Sequence, residues 1–247
     1  MSGEPFSNWH KIYRDSVGEL SKDTWQKGIL SEIKKRGITD GTVLDLGGGN
    51  GVGSDLLQGI GRFQITALDS SPAMLELNQS ATKKVVADFL EAKDLPDRYD
   101  LIVSGFDSLN YLNPKYLPAL FDGLSKILSP NGLIIFDYSS PKFLSIDWRD
   151  TEFSQEVLGG RLDWKTKFNL RESSCDIELV FWTEEKKEWT EAHTQYAVNT
   201  DQMKEALKHT GLSIEYVRNL NDETFSPQSN THVYVIRHDI FPGVVAK

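Results

Sequence analysis

Apolar positions change their period along the chain, and each change marks a different kind of element. Between residues 5 and 36, Trp9, Ile12 and Tyr13, then Leu20, Trp25, Ile29, Leu30 and Ile33 recur at helical spacing until Arg36-Gly37 ends the run, which predicts helix. From residue 42 short apolar runs alternate with helical stretches. Thr42 to Leu46, Phe63 to Leu68, Lys84 to Val86, Tyr99 to Ser104 and Leu133 to Tyr138 read as strands, and Val52 to Gln58, Pro72 to Gln79 and Pro114 to Leu128 as helices. Ser129-Pro130-Asn131-Gly132 supplies the turn before the fifth strand. Parallel β/α alternation in an open sheet is the simplest account.

Between Pro141 and Asn199 the rhythm changes. Arg161 to Leu170, Cys175 to Thr183 and Trp189 to Val198, separated by polar segments such as Glu184-Glu185-Lys186-Lys187, read as antiparallel strands joined by hairpins. Thr200-Asp201-Gln202-Met203 then opens a helix ending at Gly211, without a Glu at the third helical position, and strands follow at Leu212 to Val217 and Thr231 to Arg237. One domain is expected, with a helical cap (1–37), an α/β core (38–140 and 200–247) and an antiparallel β insertion (141–199).

Composition narrows the function classes. With 247 residues, 39% of them hydrophobic, the chain has material for a sizeable core. The net charge of −9 opposes binding to nucleic-acid phosphates or to an anionic membrane surface. Cys175 is the single cysteine, so neither an intrachain disulfide nor a cysteine-based zinc site forms, and the five histidines show no ligand spacing. The opening MSGEPFSNWHKIYRD has no basic segment followed by an apolar run, and no stretch approaches bilayer-spanning length. A soluble cytoplasmic protein with no metal, nucleic-acid or membrane partner is expected; the exposed β insertion is compatible with a homodimer.

The chemistry starts at Gly47-Gly48-Gly49-Asn50-Gly51, between the first strand and its helix. A dinucleotide fold spaces its glycines as GxGxxG, so that backbone approaches a pyrophosphate. Here Asp45, Gly47, Gly49 and Gly51 instead form D-x-G-x-G-x-G. Asp69, followed by Ser70, ends the second strand, where a carboxylate accepts hydrogen bonds from ribose hydroxyls; NAD enzymes use the same arrangement. Ala87-Asp88-Phe89 follows the third strand, and the fourth, ending in Ser104, runs into Phe106-Asp107-Ser108-Leu109-Asn110-Tyr111-Leu112.

In this combination the chain resembles the class I S-adenosylmethionine (SAM) dependent methyltransferases, in the small-molecule branch related to amino-sugar N-methyltransferases. The glycine loop resembles motif I, FDSLNYL resembles motif IV, and Trp189-Thr190-Glu191-Ala192-His193-Thr194-Gln195 resembles the family's E-x-H-x-Q strand. Gly48 stands where relatives often carry Cys or Ala, and Tyr196 where an Arg is common. The resemblance implies a Rossmann-like, seven-stranded, mostly parallel sheet with helices on both faces, roofed over the active site by the β insertion. It implies SAM as cofactor, held by Asp45, Gly47, Gly48 and Gly49 in the loop, by Asp69, Ser70, Asp88, Phe89 and Ser104 at strand ends, and by Tyr13 and Trp25 from the N-terminal helix. Phe106, Asn110 and Glu191 fall to the acceptor, and Asp107, Tyr111 and His193 to catalysis.

Methyl transfer from a sulfonium needs alignment and water exclusion; a base helps a hydroxyl acceptor, whereas an amine needs only to arrive neutral. The choice between N- and O-methylation stays open, as do a protein or peptide acceptor, a non-catalytic SAM-binding module and an NAD dehydrogenase.

Overall fold

The computed structural model describes residues 5–184, 186–222 and 224–239. A short 3-10 turn (Trp9–Lys11) leads into α1 (Tyr13–Lys27) and α2 (Ile29–Lys35), so the helical run expected from residue 5 begins later and breaks at Gly28. There follow β1 (Asp40–Leu46), α3 (Val52–Gln58), β2 (Arg62–Asp69), α4 (Pro72–Leu77), β3 (Lys83–Val86), β4 (Tyr99–Ser104), α5 (Leu117–Ile127) and β5 (Leu128–Ser139). The chain then makes β6 (Glu152–Val157), β7 (Gly160–Asn169), β8 (Ser174–Thr183) and β9 (Lys186–Tyr196), and closes with α6 (Thr200–Leu207), β10 (Leu212–Asn219) and β11 (Thr231–His238).

The main sheet has the order β10-β11-β5-β4-β1-β2-β3, in which β11 alone runs opposite to the other strands. Side chains alternate across it, as the two-residue period of a strand requires. Leu44, Leu46, Ile102, Ile134 and Phe136 enter one core with α5 and α6, whereas Val43, Leu101, Val103 and Ile135 enter the other with α1, α2 and α3. These strands are buried on both faces, which is why they read as continuous apolar runs. The N-terminal helices are tied to the far edge by Arg218 of β10. Its buried guanidinium donates to the Lys27 and Gly28 carbonyls (both 2.9 Å), to Ser31 Oγ (2.6 Å) and to the buried Glu32 carboxylate, which also accepts from the Tyr216 hydroxyl.

The second sheet, β6-β7-β8-β9, is antiparallel throughout. Its inner face packs Leu162, Trp164, Cys175, Ile177 and Leu179 against Trp9, Ile12 and Leu144.

Several elements differ from expectation. β6 is an edge strand with no buried residue, so it carries no alternating apolar signal to read. Between β3 and β4, where no element was expected, the chain forms a 3-10 turn, Phe89–Asp94. α4 stops at Leu77 because Asn78 turns inward, where its amide oxygen accepts the Ser80 and Ala81 N–H groups. α6 begins at Thr200 as expected, but its cap is Asn199, and Gln202 at the third helical position completes a capping box in place of a Glu. α6 also ends at Leu207, short of Gly211. Among the described residues no helix is long and apolar enough to cross a membrane.

Candidate active site

β1 ends beneath the glycine loop. The N–H groups of Gly47 and Gly48 both donate to the Leu68 carbonyl (2.8 and 3.1 Å), which bends the chain back over β2. Gly47 has φ +78°, and a Cβ there would lie 2.8 Å from Ser108 Cβ. Only glycine allows the loop to come that close to the segment after β4. Gly49 donates to Asp69 Oδ2 (2.9 Å), and Asp69 Oδ1 takes the Ser71 N–H (2.8 Å). Each of these oxygens keeps a lone pair for a ligand hydroxyl. Burial raises the Asp69 carboxyl despite both bonds.

Under the loop, Asp45 is fully buried. One oxygen accepts the Ser54 hydroxyl (3.0 Å) and the other has no partner. Burial, with the nearby Asp69 charge, pushes its carboxyl up to about 7. An unpaired buried acceptor is costly, and a cationic donor delivered into the loop would relieve it.

After β4 the chain makes a strained corner. Phe106 and Asp107 are both left-handed, with φ 54° and 52°, a conformation that costs a non-glycine residue on the order of 1 kcal/mol or more. The compensation is charge-assisted: their N–H groups donate to Asp137 Oδ2 (2.8 Å) and Oδ1 (2.6 Å). Asp107 in turn accepts the Ser139 hydroxyl at 3.0 Å. Burial pushes Asp107, helped by the Asp137 charge, up to about 7 and Asp137 up to about 6.

These groups line one cavity of about 760 Å³ that runs from the glycine loop to the inner face of the second sheet. Tyr13, Trp25, Ser70, Asp88 and Phe89 lie around the loop end, and Phe106, Asp107, Tyr111 and His193 toward the sheet. Asp88 also caps the turn behind it by accepting the Leu90 N–H. Trp25 is core and cavity wall at once: Cβ atoms built at Gly53 and Gly105 would lie 2.2 and 2.3 Å from its ring, so the indole is slotted between two glycines. Burial first, and the Asp107 charge next, raise both the Tyr13 and the Tyr111 hydroxyls, so both remain protonated donors.

At the sheet end, Phe6, Trp9 and Tyr111 surround the His193 ring with centroids at 4.9, 5.3 and 5.8 Å. His193 Nε2 lies 2.9 Å from Glu191 Oε1, and its buried Nδ1 has no partner. Burial alone would raise the Glu191 carboxyl, but bonds from His193, Asn8 and Trp9 hold it below its usual range. An ionised carboxylate only accepts, so Nε2 donates, and in the neutral imidazole the lone pair is then on Nδ1.

Three expected site residues belong to the framework instead. Ser104 donates to the Leu46 carbonyl (2.7 Å), fastening β4 to β1. Asn110 is wholly buried: it donates to the carbonyls of Ser139 and Tyr196 (both 3.0 Å) and accepts the Ser139 N–H (2.9 Å). Glu191 is also wholly buried and binds the backbone of the N-terminal segment. None of the three lines the cavity. Conversely, Phe6, Trp9, Asp137, Ser139, Trp164 and Gln195 do line it and were not assigned to it from sequence. Asp137 carried a legible signal, a carboxylate at the end of the apolar run Ile134-Ile135-Phe136.

A family model described as a methyltransferase domain matches residues 22–217. The chain belongs to the SAM-dependent methyltransferases. The YqeM protein of Bacillus subtilis (strain 168), named as a methyltransferase, is 25% identical over 222 residues, 86% of this chain and 88% of that one. A SAM-dependent methyltransferase from Clostridium acetobutylicum ATCC 824 shares the fold with a TM-score of 0.78 at 20% identity, over 93% of this chain and 96% of that one. SAM-bound CalS10 of Micromonospora echinaspora, an amino pentose methyltransferase of calicheamicin biosynthesis, matches with a TM-score of 0.63 at 15% identity, over 95% and 93% of the two chains.

SAM is accordingly the cofactor of this methyltransferase, and the residues fit it. The orphaned Asp45 oxygen suits the ammonium of its amino-acid head, and Asp69 suits its ribose hydroxyls. The lining also matches its charge: Asp23, Asp45, Asp69, Asp88, Asp107 and Asp137 face the cavity, and no Lys or Arg among the described residues does.

Proposed function

We propose that this enzyme transfers the SAM methyl group to a nitrogen or oxygen of a small-molecule metabolite, with an amino sugar or a natural-product intermediate as the favoured class of acceptor. The observation that carries the reading is the continuity of the cavity: the glycine loop sits at one end, and the other is closed off by the second sheet and the N-terminal segment. Phe6, Trp9, Trp148 and Trp164 give that end an apolar, aromatic lining suited to a compact acceptor. A protein chain would need an open groove there. The amino pentose acceptor of CalS10 points the same way.

Bound SAM supplies a methyl group on a sulfonium, activated for in-line displacement. The chain's own part is alignment and control of protons. The buried walls exclude water, and the aromatic faces favour a cationic centre. Asp107 and Tyr111 orient the acceptor, Tyr111 as a donor. The free His193 Nδ1 accepts a proton from an acceptor hydroxyl or ammonium, in the role of general base.

The test is direct. Purified protein should bind SAM and S-adenosylhomocysteine in isothermal titration, and Asp69→Ala should lose most of that affinity. Paired amino and hydroxyl metabolites are then screened for S-adenosylhomocysteine release. Methyl transfer found only with peptides or proteins would refute the small-molecule reading.

A further inference from the structure

Glu191 is a buried carboxylate for which methyl transfer, as described, has no use. It lies on β9, on the same face as His193, does not itself line the cavity and is wholly inaccessible. Nevertheless it collects five hydrogen bonds. Oε1 accepts from the Phe6 N–H and from His193 Nε2 (2.9 Å); Oε2 accepts from the N–H groups of Asn8 (2.8 Å) and Trp9 (3.1 Å) and from Ser7 Oγ (3.4 Å). Four consecutive residues thus turn a donor onto one side chain more than 180 residues away in sequence. Phe6, at φ 61°, is left-handed, which is how successive N–H groups come to converge on one anion.

What hangs from this carboxylate is the wall of the acceptor end. Phe6 and Trp9 stack at 5.6 Å and 9°, both line the cavity, and both pack edge-on against His193. The same carboxylate fixes which imidazole nitrogen carries the proton. One anion therefore sets two things at once, closure of the wall and presentation of Nδ1.

We propose that Glu191 is a positioning residue for methyl transfer, whose carboxylate holds residues 6–9 closed over the acceptor end and locks His193 with its bare Nδ1 toward the acceptor. The part concerning His193 rests on the acceptor site placed above; the part concerning the wall does not. Closure and orientation are coupled: when residues 6–9 lift away, the carboxylate loses most of its partners and the imidazole loses a fixed anchor.

The experiment needs no acceptor. Full-length protein saturated with S-adenosylhomocysteine is compared as wild type, Glu191→Gln and His193→Gln, by hydrogen exchange of the N-terminal peptide and by nitrogen NMR of the histidine side chains. The amide introduced by Glu191→Gln keeps the volume but turns one acceptor into a donor. In that variant, exchange at residues 6–9 should rise by about tenfold or more, as expected when buried donors lose their acceptor, and His193 should lose its single tautomer. His193→Gln should leave the exchange within about twofold of wild type, because the backbone bonds to the carboxylate survive. Unchanged exchange in Glu191→Gln, or an unchanged His193 tautomer, overturns the proposal. Should Glu191→Gln fail to fold, Glu191→Asp retains the charge on a shorter stem; it must show the same two changes in smaller measure, and neither changing overturns the proposal equally. If both responses appear while the acceptor screen yields nothing, the positioning role stands and the small-molecule reading falls.

Discussion

Replacing Glu32 by Gln tests how the N-terminal helices are fastened to the sheet. Glu32 is 0% exposed and Arg218 4%, and among the described residues no other carboxylate bonds the guanidinium. Besides Glu32, Arg218 serves the carbonyls of Lys27, Gly28, Asn219 and Leu220 and the Ser31 hydroxyl. Glu32→Gln keeps the shape and one acceptor but leaves a buried cation uncompensated, a loss of about 3–5 kcal/mol when one partner of such a pair is removed. The residual amide oxygen argues for the low end, about 3 kcal/mol. For a chain of this size that corresponds to a fall in Tm of roughly 6–12 °C, measured by differential scanning calorimetry.

The pH dependence supplies an internal control. Burial works against the Glu32 charge, but the bonds from Tyr216 and Arg218 outweigh it and hold the carboxyl below its ordinary value. A lowered folded pKa means that the stabilisation is complete above the unfolded value of about 4.3 and is lost as pH falls through the folded one. The difference between wild type and variant should therefore be constant from about pH 6 to 8 and shrink in acid. Replacing both partners, as Glu32→Leu with Arg218→Met, removes the lone charge but orphans the carbonyls of Lys27, Gly28, Asn219 and Leu220, so this variant should stay well below wild type in Tm. A Tm change under about 2 °C for Glu32→Gln at pH 7, or a double variant as stable as wild type, would refute the reasoning.

Other outcomes follow from the cavity. Gly105→Ala would bring a Cβ to 2.3 Å from the Trp25 ring; the indole must leave its slot, at a cost of about 1–3 kcal/mol. Titration should then show S-adenosylhomocysteine binding weakened by about tenfold or more, and unchanged affinity would exclude Trp25 from the cofactor wall. Asp45, Asp107 and Asp137 are raised to about 7, 7 and 6 by burial, so the folded chain binds more protons than the unfolded one at intermediate pH. The Tm of the ligand-free protein should thus fall between pH 5 and pH 8, and Asp107→Asn should flatten that slope; a wild-type Tm that rises across this interval would refute it.

The sheet and the cofactor loop were legible because local pattern encodes them. β4 was read to the residue, and the glycines and Asp69 act through backbone geometry that follows from their spacing. Ser104, Asn110 and Glu191 were misplaced for a common reason. A motif marks a polar residue as required without showing whether its bonds go to a ligand or to the chain, and Asn110 binds Ser139 and Tyr196, which no local pattern connects to it. Trp9 read as part of a helical run because its apolar character was visible, whereas its attachment, and that of Phe6, to Glu191 was not. The cofactor end is thus written locally, and the acceptor end is assembled by long-range contacts.

The bonds of Asn110 also bear on how this enzyme can be rebuilt. Ser139 is where the chain leaves the main sheet for the roof, and Tyr196 is where it returns. One amide grips both points, and the Tyr138 hydroxyl adds a second bond to the Tyr196 carbonyl at 3.1 Å. The excursion therefore has its two stalks pinned side by side, and since the entropy of closing a loop grows only as the logarithm of its length, its contents can be exchanged or extended at little cost while the pin holds. That makes the roof a cassette with natural splice points after Ser139 and before Ala197, through which a different pocket could be transplanted onto an unaltered cofactor platform.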